Sequence, residues 1–183
     1  MVDEGGVGKN FAWSFLERVD GMRCFTALVA LLFASIATAI PFDATKIRVN
    51  KSERRLDVYA GERIMASYEI RLGSPEGSKR REGDRRTPEG NYLLDYKNSN
   101  SAYHKSIHIS YPSETDRAAA RKMGVRPGGD IMIHGQPNDL EMQARLKAYP
   151  LADWTDGCIA LSNKDMDALW SLVKVPIPIH ITP

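Results

Sequence analysis

The sequence predicts a mostly β domain with two or three short helices packed around it. Three observations carry that prediction. Short segments alternating between apolar and polar residues fill the chain from Lys46 to Ile109. Helical periodicity appears only after them, in short runs. Two irregular stretches, Gly73–Gly90 and Pro150–Gly157, break the pattern. The first holds Pro75, Gly77, Gly83 and Pro88, and a loop of that length in a compact domain usually has a function. Composition agrees with a globular domain: of 183 residues, 43% are hydrophobic and 26% charged, which fits neither a disordered chain nor a polytopic membrane protein. A formal net charge of +2 is too small to imply nucleic acid.

The chain opens on a leader. Arg23 precedes an apolar run, Cys24 to Ala34, and Ala37-Thr38-Ala39 supplies the small-x-small pattern of a signal-peptidase site. This reads as a signal peptide over residues 1–39, with Met22 as an alternative start, and a mature domain over 40–183. The competing reading is an uncleaved anchor, for which the 17 residues from Cys24 to Ile40 lie at the lower edge. Cleavage predicts an exported protein of the periplasm or cell wall, touching the membrane only transiently through the leader. Cys158 is then the one cysteine of the mature chain, which carries net +3.

Within the mature chain, Lys46–Asn50 and Leu56–Ala60 flank the polar turn Lys51-Ser52-Glu53-Arg54 and read as a hairpin. Ile64, Ala66, Tyr68 and Ile70 share one face of a third strand. Tyr92, Leu94 and Tyr96 alternate in another strand, as do Ile107 and Ile109. Ser113 with Asp116 resembles a capping box, and Gly124 stops the helix that follows. Asn138 with Glu141 opens a second helix. Asn163 caps a third, in which Met166, Leu169, Trp170 and Val173 recur at helical spacing. Ile177–Ile181 is expected to be a closing edge strand, where Pro178 is tolerated.

Two residues stand out chemically. Cys158 follows Thr155-Asp156-Gly157, and a glycine at that position lets backbone N–H groups approach the sulfur. Such amides stabilise a thiolate or an acyl-transfer oxyanion, although a structural cysteine at a strand start has the same pattern. His134 ends the apolar run Ile131-Met132-Ile133 and precedes Gly135, so it faces a rim, as a proton acceptor or as a turn histidine. His104 and His180 read as structural, and His108 as facing solvent or a groove. The four histidines and two cysteines show no metal-ligand spacing, so no metal is expected. The window Lys79–Arg86 holds five positive and two negative residues, and reads as a solvated loop or as a guide for an anionic polymer.

Together these segments resemble the L,D-transpeptidase (YkuD-like) catalytic domain family, over about Lys46 to Thr182. Ile133-His134-Gly135 resembles that family's histidine-glycine element. Thr155-Asp156-Gly157-Cys158-Ile159-Ala160 resembles its Ser/Thr-His-Gly-Cys-hydrophobic-Asn element. Gly83 to Tyr92, containing Thr87-Pro88-Glu89-Gly90, resembles its Thr-Pro-x-Gly segment. Asp156 replaces the usual second histidine, Ala160 the usual asparagine, and twenty residues separate His134 from Thr155.

The resemblance implies a β-sandwich-like fold and acyl transfer on peptidoglycan stem peptides, with no cofactor. Cys158 is the implied nucleophile and His134 the group that holds its proton as an ion pair. The Gly135 carbonyl orients His134, and the backbone N–H groups of Gly157 and Cys158 form the oxyanion hole. Two alternatives accompany this reading: the same thioester resolved by water, as in an L,D-carboxypeptidase or amidase, and a non-catalytic peptidoglycan-binding module.

Overall fold

The computed structural model describes residues 43–150 and 152–183; the leader, the Met22 start and Cys24 lie outside them. The described residues form β1 (Lys46–Asn50), β2 (Arg55–Ala60), β3 (Arg63–Glu69), β4 (Gly90–Ser101), β5 (His104–Ile109), α1 (Glu114–Lys122), β6 (Met132–His134), α2 (Leu140–Ala148), β7 (Ile159–Ala160), α3 (Asn163–Leu172) and β8 (Ile177–Thr182). All eight strands join one sheet in the order β3-β2-β1-β8-β4-β5-β6-β7. Its two ends meet. Arg71, just past β3, and Ala160 of β7 exchange N–H···O bonds of 2.8 and 2.7 Å. The sheet therefore curls until it faces itself, which is how one sheet provides the two packed layers expected of a sandwich.

The core lies inside that curl, and strand alternation fills it. Ile47 and Val49 of β1, Leu56 and Val58 of β2, and Ile177, Ile179 and Ile181 of β8 are all buried. Ile107 and Ile109 of β5 and Ile133 of β6 continue the layer, and α3 closes over it with Met166 and Leu169. At roughly 1.5–3 kcal/mol for each large apolar side chain taken from water, this cluster is the main stabilising term.

Several details differ from the sequence expectation, each for a local reason. A register shift between Val58 and Tyr59 pairs Tyr59 with Ile64, and Ile64 is left 48% exposed while Ile70 on the same expected face is buried. A second shift between Leu94 and Lys97 turns Tyr96 outward, where its ring stacks on His108 at 4.6 Å. The strand from Ile177 is central, not an edge: β8 pairs with β1 on one side and β4 on the other. Pro178 fits there because its partner Leu93 directs its own N–H and C=O to Ser110. The Leu93–Pro178 pair thus exchanges no backbone bond, and the β1 register begins one residue later, at Ile179.

The helix caps are also instructive. Ser113 and Asp116 form the expected capping box of α1. The other two caps fall one residue away from the asparagines. Asp139 caps α2 and Ser162 caps α3. Asn138 instead accepts from the His104 N–H and donates to the Ser101 carbonyl, pinning the β4–β5 hairpin. Asn163 accepts from the Gln136 N–H at 2.7 Å and fixes the chain just beyond His134.

The long loop is anchored by buried cations. Lys51, 3% exposed, donates to Glu89 at 2.6 Å and to the Gly77 carbonyl at 2.7 Å. Lys79, also buried, reaches Asp84 at 3.1 Å. Asp84 in turn accepts the N–H groups of Arg80, Arg81 and Arg86. Removing either member of such a pair leaves a buried charge without a partner, so the loop is held in one shape.

Candidate active site

Strands β6 and β7 run parallel, with Ile133 opposite Ile159 and His134 opposite Ala160. Cys158, immediately before β7, meets Met132 of β6, whose N–H donates to Sγ at 3.4 Å. The thiol in turn donates to the Asp130 carbonyl at 3.6 Å. His134 and Cys158 both line a cleft of about 320 Å3, together with Tyr103, Asp130, Trp154 and Asp156.

The His134 ring is 4% exposed and forms a three-ring cluster with Tyr103 at 4.6 Å and Trp154 at 5.6 Å, which are themselves 6.1 Å apart. Its Nδ1 is 2.7 Å from the Gly135 carbonyl. A carbonyl can only accept, so Nδ1 carries the proton and Nε2 is the ring's acceptor. Sequence periodicity did not single out Tyr103 or Trp154. Trp154 stands in the irregular stretch leading to Cys158, and Tyr103 at the tip between β4 and β5, where His104 takes a left-handed φ of +63°. Those positions, a tight turn and a functional loop, were the signals available.

The cysteine turn is built on close backbone contact. Gly157 has φ +121°, and a Cβ there would lie 2.5 Å from the Arg86 carbonyl oxygen. A Cβ on Gly73 would overlap the Arg85 carbonyl and approach the Gly157 nitrogen to 2.8 Å. Thr155 Oγ1 donates to the Cys158 carbonyl at 2.7 Å and accepts the Gly157 N–H at 3.2 Å. That second bond matters chemically, because it commits the Gly157 amide to Thr155. Gly157→Ala is therefore expected to destabilise the domain by about 1–3 kcal/mol and to displace Cys158, an effect read as a lower Tm together with lost thiol reactivity. Gly83→Ala, at φ +76° with open space around it, should cost only about 1 kcal/mol and leave the thiol unchanged.

Burial pushes the Cys158 thiol up from its ordinary pKa. The Met132 N–H and Lys79 pull it down, while Asp156 and Asp130 push it further up. Burial pushes His134 down, against the pull of the Gly135 carbonyl. Both shifts favour the uncharged forms. Both directions arise from burial and run against the thiolate–imidazolium pair that the resemblance implies. The two side chains line one cleft, and among the described residues the thiol's hydrogen bonds run to Met132 and Asp130 rather than to the imidazole.

The remaining sequence candidates fall elsewhere. His104 meets Asp167 at 2.7 Å, and His108 meets Asp95 at 2.7 Å, both outside the cleft. His180 is exposed on β8. Thr87 is fully buried in the anchored loop, so the Thr-Pro-x-Gly segment supports the cysteine turn from behind and does not line the cleft. Asp156 is exposed at the rim and pairs with Arg85 at 2.8 Å. Ala160 is buried, with its backbone committed to Arg71.

The curled sheet is that of an L,D-transpeptidase catalytic domain. Residues 44–181 match the family model YkuD, L,D-transpeptidase catalytic domain, and the chain belongs to that family. It is 31% identical over 134 residues to YafK of Escherichia coli (strain K12), a protein named provisionally as an L,D-transpeptidase; the match covers 69% of this chain and 46% of YafK. Among solved structures it is similar to the helical cell shape determining protein Pgp2 from Campylobacter jejuni. That match has a TM-score of 0.60 and 28% identity, over 75% of this chain and 47% of the other. Bdellovibrio bacteriovorus Bd1075 matches with a TM-score of 0.54 and 27% identity, over 77% of this chain and 48% of the other. The chain thus spans about half the length of the relatives it matches.

Proposed function

We propose that the domain is a peptidoglycan L,D-transpeptidase that works through a thioester on Cys158. The observation that carries this reading is the convergence in one cleft of Cys158 and a His134 whose Nδ1 is held by the Gly135 carbonyl. As the carbonyl of the L-centre before a terminal D-residue approaches, the thiol proton passes to His134 Nε2 and sulfur bonds to the carbonyl carbon. Negative charge gathers on the carbonyl oxygen, where the Cys158 N–H receives it, with Gly157 contributing if its amide leaves Thr155. The imidazolium then gives its proton to the leaving D-amino acid, and the thioester remains. An acceptor amine attacks the thioester, returning a proton through His134 and restoring the thiol. The Gly135 carbonyl keeps the ring in the required tautomer throughout.

The chemistry fits an exported protein, and the leader supports action in the periplasm or cell wall. The name of the Campylobacter relative supports a role in cell shape, since altering cross-links alters the wall. The test is product analysis on purified muropeptides. A cross-linked dimer is the expected product. A shortened monomer without dimer would reassign the enzyme as a hydrolase using the same thioester. Binding with no product would make it a peptidoglycan-binding module.

A further inference from the structure

A groove of about 620 Å3 adjoins the cysteine turn, lined by Arg80, Arg81, Arg85 and Arg86, with Met123 and Val125 on one wall. Two acidic residues also line it, and both are already committed. Asp84 accepts three backbone N–H groups and the Lys79 ammonium. Asp153 holds Arg54 through contacts of 2.5 to 3.1 Å and accepts the Leu72 N–H. Neither neutralises the groove's guanidinium groups. Arg85 has one acidic partner, Asp156, and both side chains are largely exposed, at 62% and 86%. Arg80, Arg81 and Arg86 form no ion pair among the described residues.

Among the described residues none lines both the groove and the cleft, but an ion pair joins them. Asp156 lines the cleft while its partner Arg85 lines the groove. The Arg86 carbonyl packs against Gly157, next to Cys158. The Asp156–Arg85 pair is therefore the point at which a ligand in the cleft would meet the arginines. Guanidinium forks match carboxylates in pairs, and the apolar wall suits an aliphatic stem between them. The positive charge is also local. Residues 40–183 carry only net +3, the same as Lys79–Arg86 alone, which suits a short anionic peptide better than a long polyanion.

We propose that this groove is a carboxylate-binding subsite for the peptide substrate. Arg80, Arg81 and Arg86 offer standing donors, and Arg85 exchanges Asp156 for a ligand carboxylate. The inference rests on the acyl-transfer reading above and names the feature of the substrate that the domain recognises.

The test separates binding from chemistry. The full-length Cys158→Ala protein is titrated with a soluble cell-wall tetrapeptide bearing free carboxylates, and with the same peptide amidated. The free peptide should bind, and adding Arg80→Gln and Arg81→Gln should weaken it about tenfold. The amidated peptide should bind weakly to both proteins alike. Lys164→Gln with Lys174→Gln, which removes equal charge from exposed lysines elsewhere, should leave affinity unchanged. Equal binding of the free and amidated peptides, or no effect of the arginine changes, overturns the subsite. Short polyphosphate that binds more tightly than the peptide, and is lost in the same arginine variant, overturns the peptide as occupant. Failure of the acyl-transfer reading shows separately, as a wild-type protein that forms no carbapenem adduct.

Discussion

Cys158→Ala is expected to abolish product formation and every covalent adduct while leaving the domain folded. Among the described residues this is the only thiol lining the cleft, and covalent catalysis cannot proceed without the atom that forms the thioester. The structural loss is small. Sγ accepts one N–H from Met132 at 3.4 Å and fills a partly exposed position, so the stability change should stay near 1 kcal/mol. Cys158→Ser is the sharper variant because it keeps the shape. A hydroxyl is far less acidic than a thiol, and His134 is oriented by a backbone carbonyl, without a carboxylate to stabilise an imidazolium. Mass spectrometry after incubation with a carbapenem should show one added ligand on the wild type and none on either variant, with superimposable circular dichroism. Turnover by the Ala variant would place the chemistry elsewhere in the domain.

The parts of this fold that were legible in the sequence are those set by local periodicity. β1, β2 and their turn were readable because Ile47, Val49, Leu56 and Val58 alternate without interruption. The α1 capping box was readable because both partners lie within one turn of chain. Ile64 and Tyr96 were misplaced because a β-bulge inserts a residue where the alternation itself gives no sign, and the side chains before and after it fall on opposite faces. β8 was misread as an edge because proline argues against a central strand. What admits Pro178 is that Leu93 bonds Ser110 instead, a fact of the neighbouring ladder. Asn138 and Asn163 were assigned as caps because their chemistry suits capping, yet each satisfies a long-range amide that only the tertiary fold supplies.

The site was legible in a similar proportion. His134 and Cys158 were singled out by a strand end followed by glycine and by a glycine-flanked cysteine, and they share one cleft. Tyr103 and Trp154 come from separate loops and meet only around the His134 ring. The direction of the two pKa shifts was not legible at all. It depends on how much water the walls exclude, which no spacing of residues along the chain encodes.

His134→Gln is the second variant expected to have a large effect, and its pH dependence distinguishes the two resting states. Glutamine keeps much of the ring's volume beside Tyr103 and Trp154 but cannot take a proton, so carbapenem acylation at neutral pH should fall by about 10²–10⁴-fold. The wild type needs a neutral imidazole. Because burial holds His134 below its ordinary value, the protonated form accumulates only at lower pH, and acylation should hold level from neutrality to below about pH 6.5. In His134→Gln the reaction waits for spontaneous thiolate. Burial has raised the thiol, so that rate should climb about tenfold per pH unit through neutrality and beyond about pH 8.5. Iodoacetamide, which needs thiolate but no proton transfer to a leaving group, supplies the control. With a neutral resting pair, its reaction with Cys158 should fade below about pH 8.5 in both proteins. An ion pair would instead keep the wild type reactive well below pH 8 and lose that reactivity in the variant, and that result would overturn the neutral resting pair that burial of both groups favours.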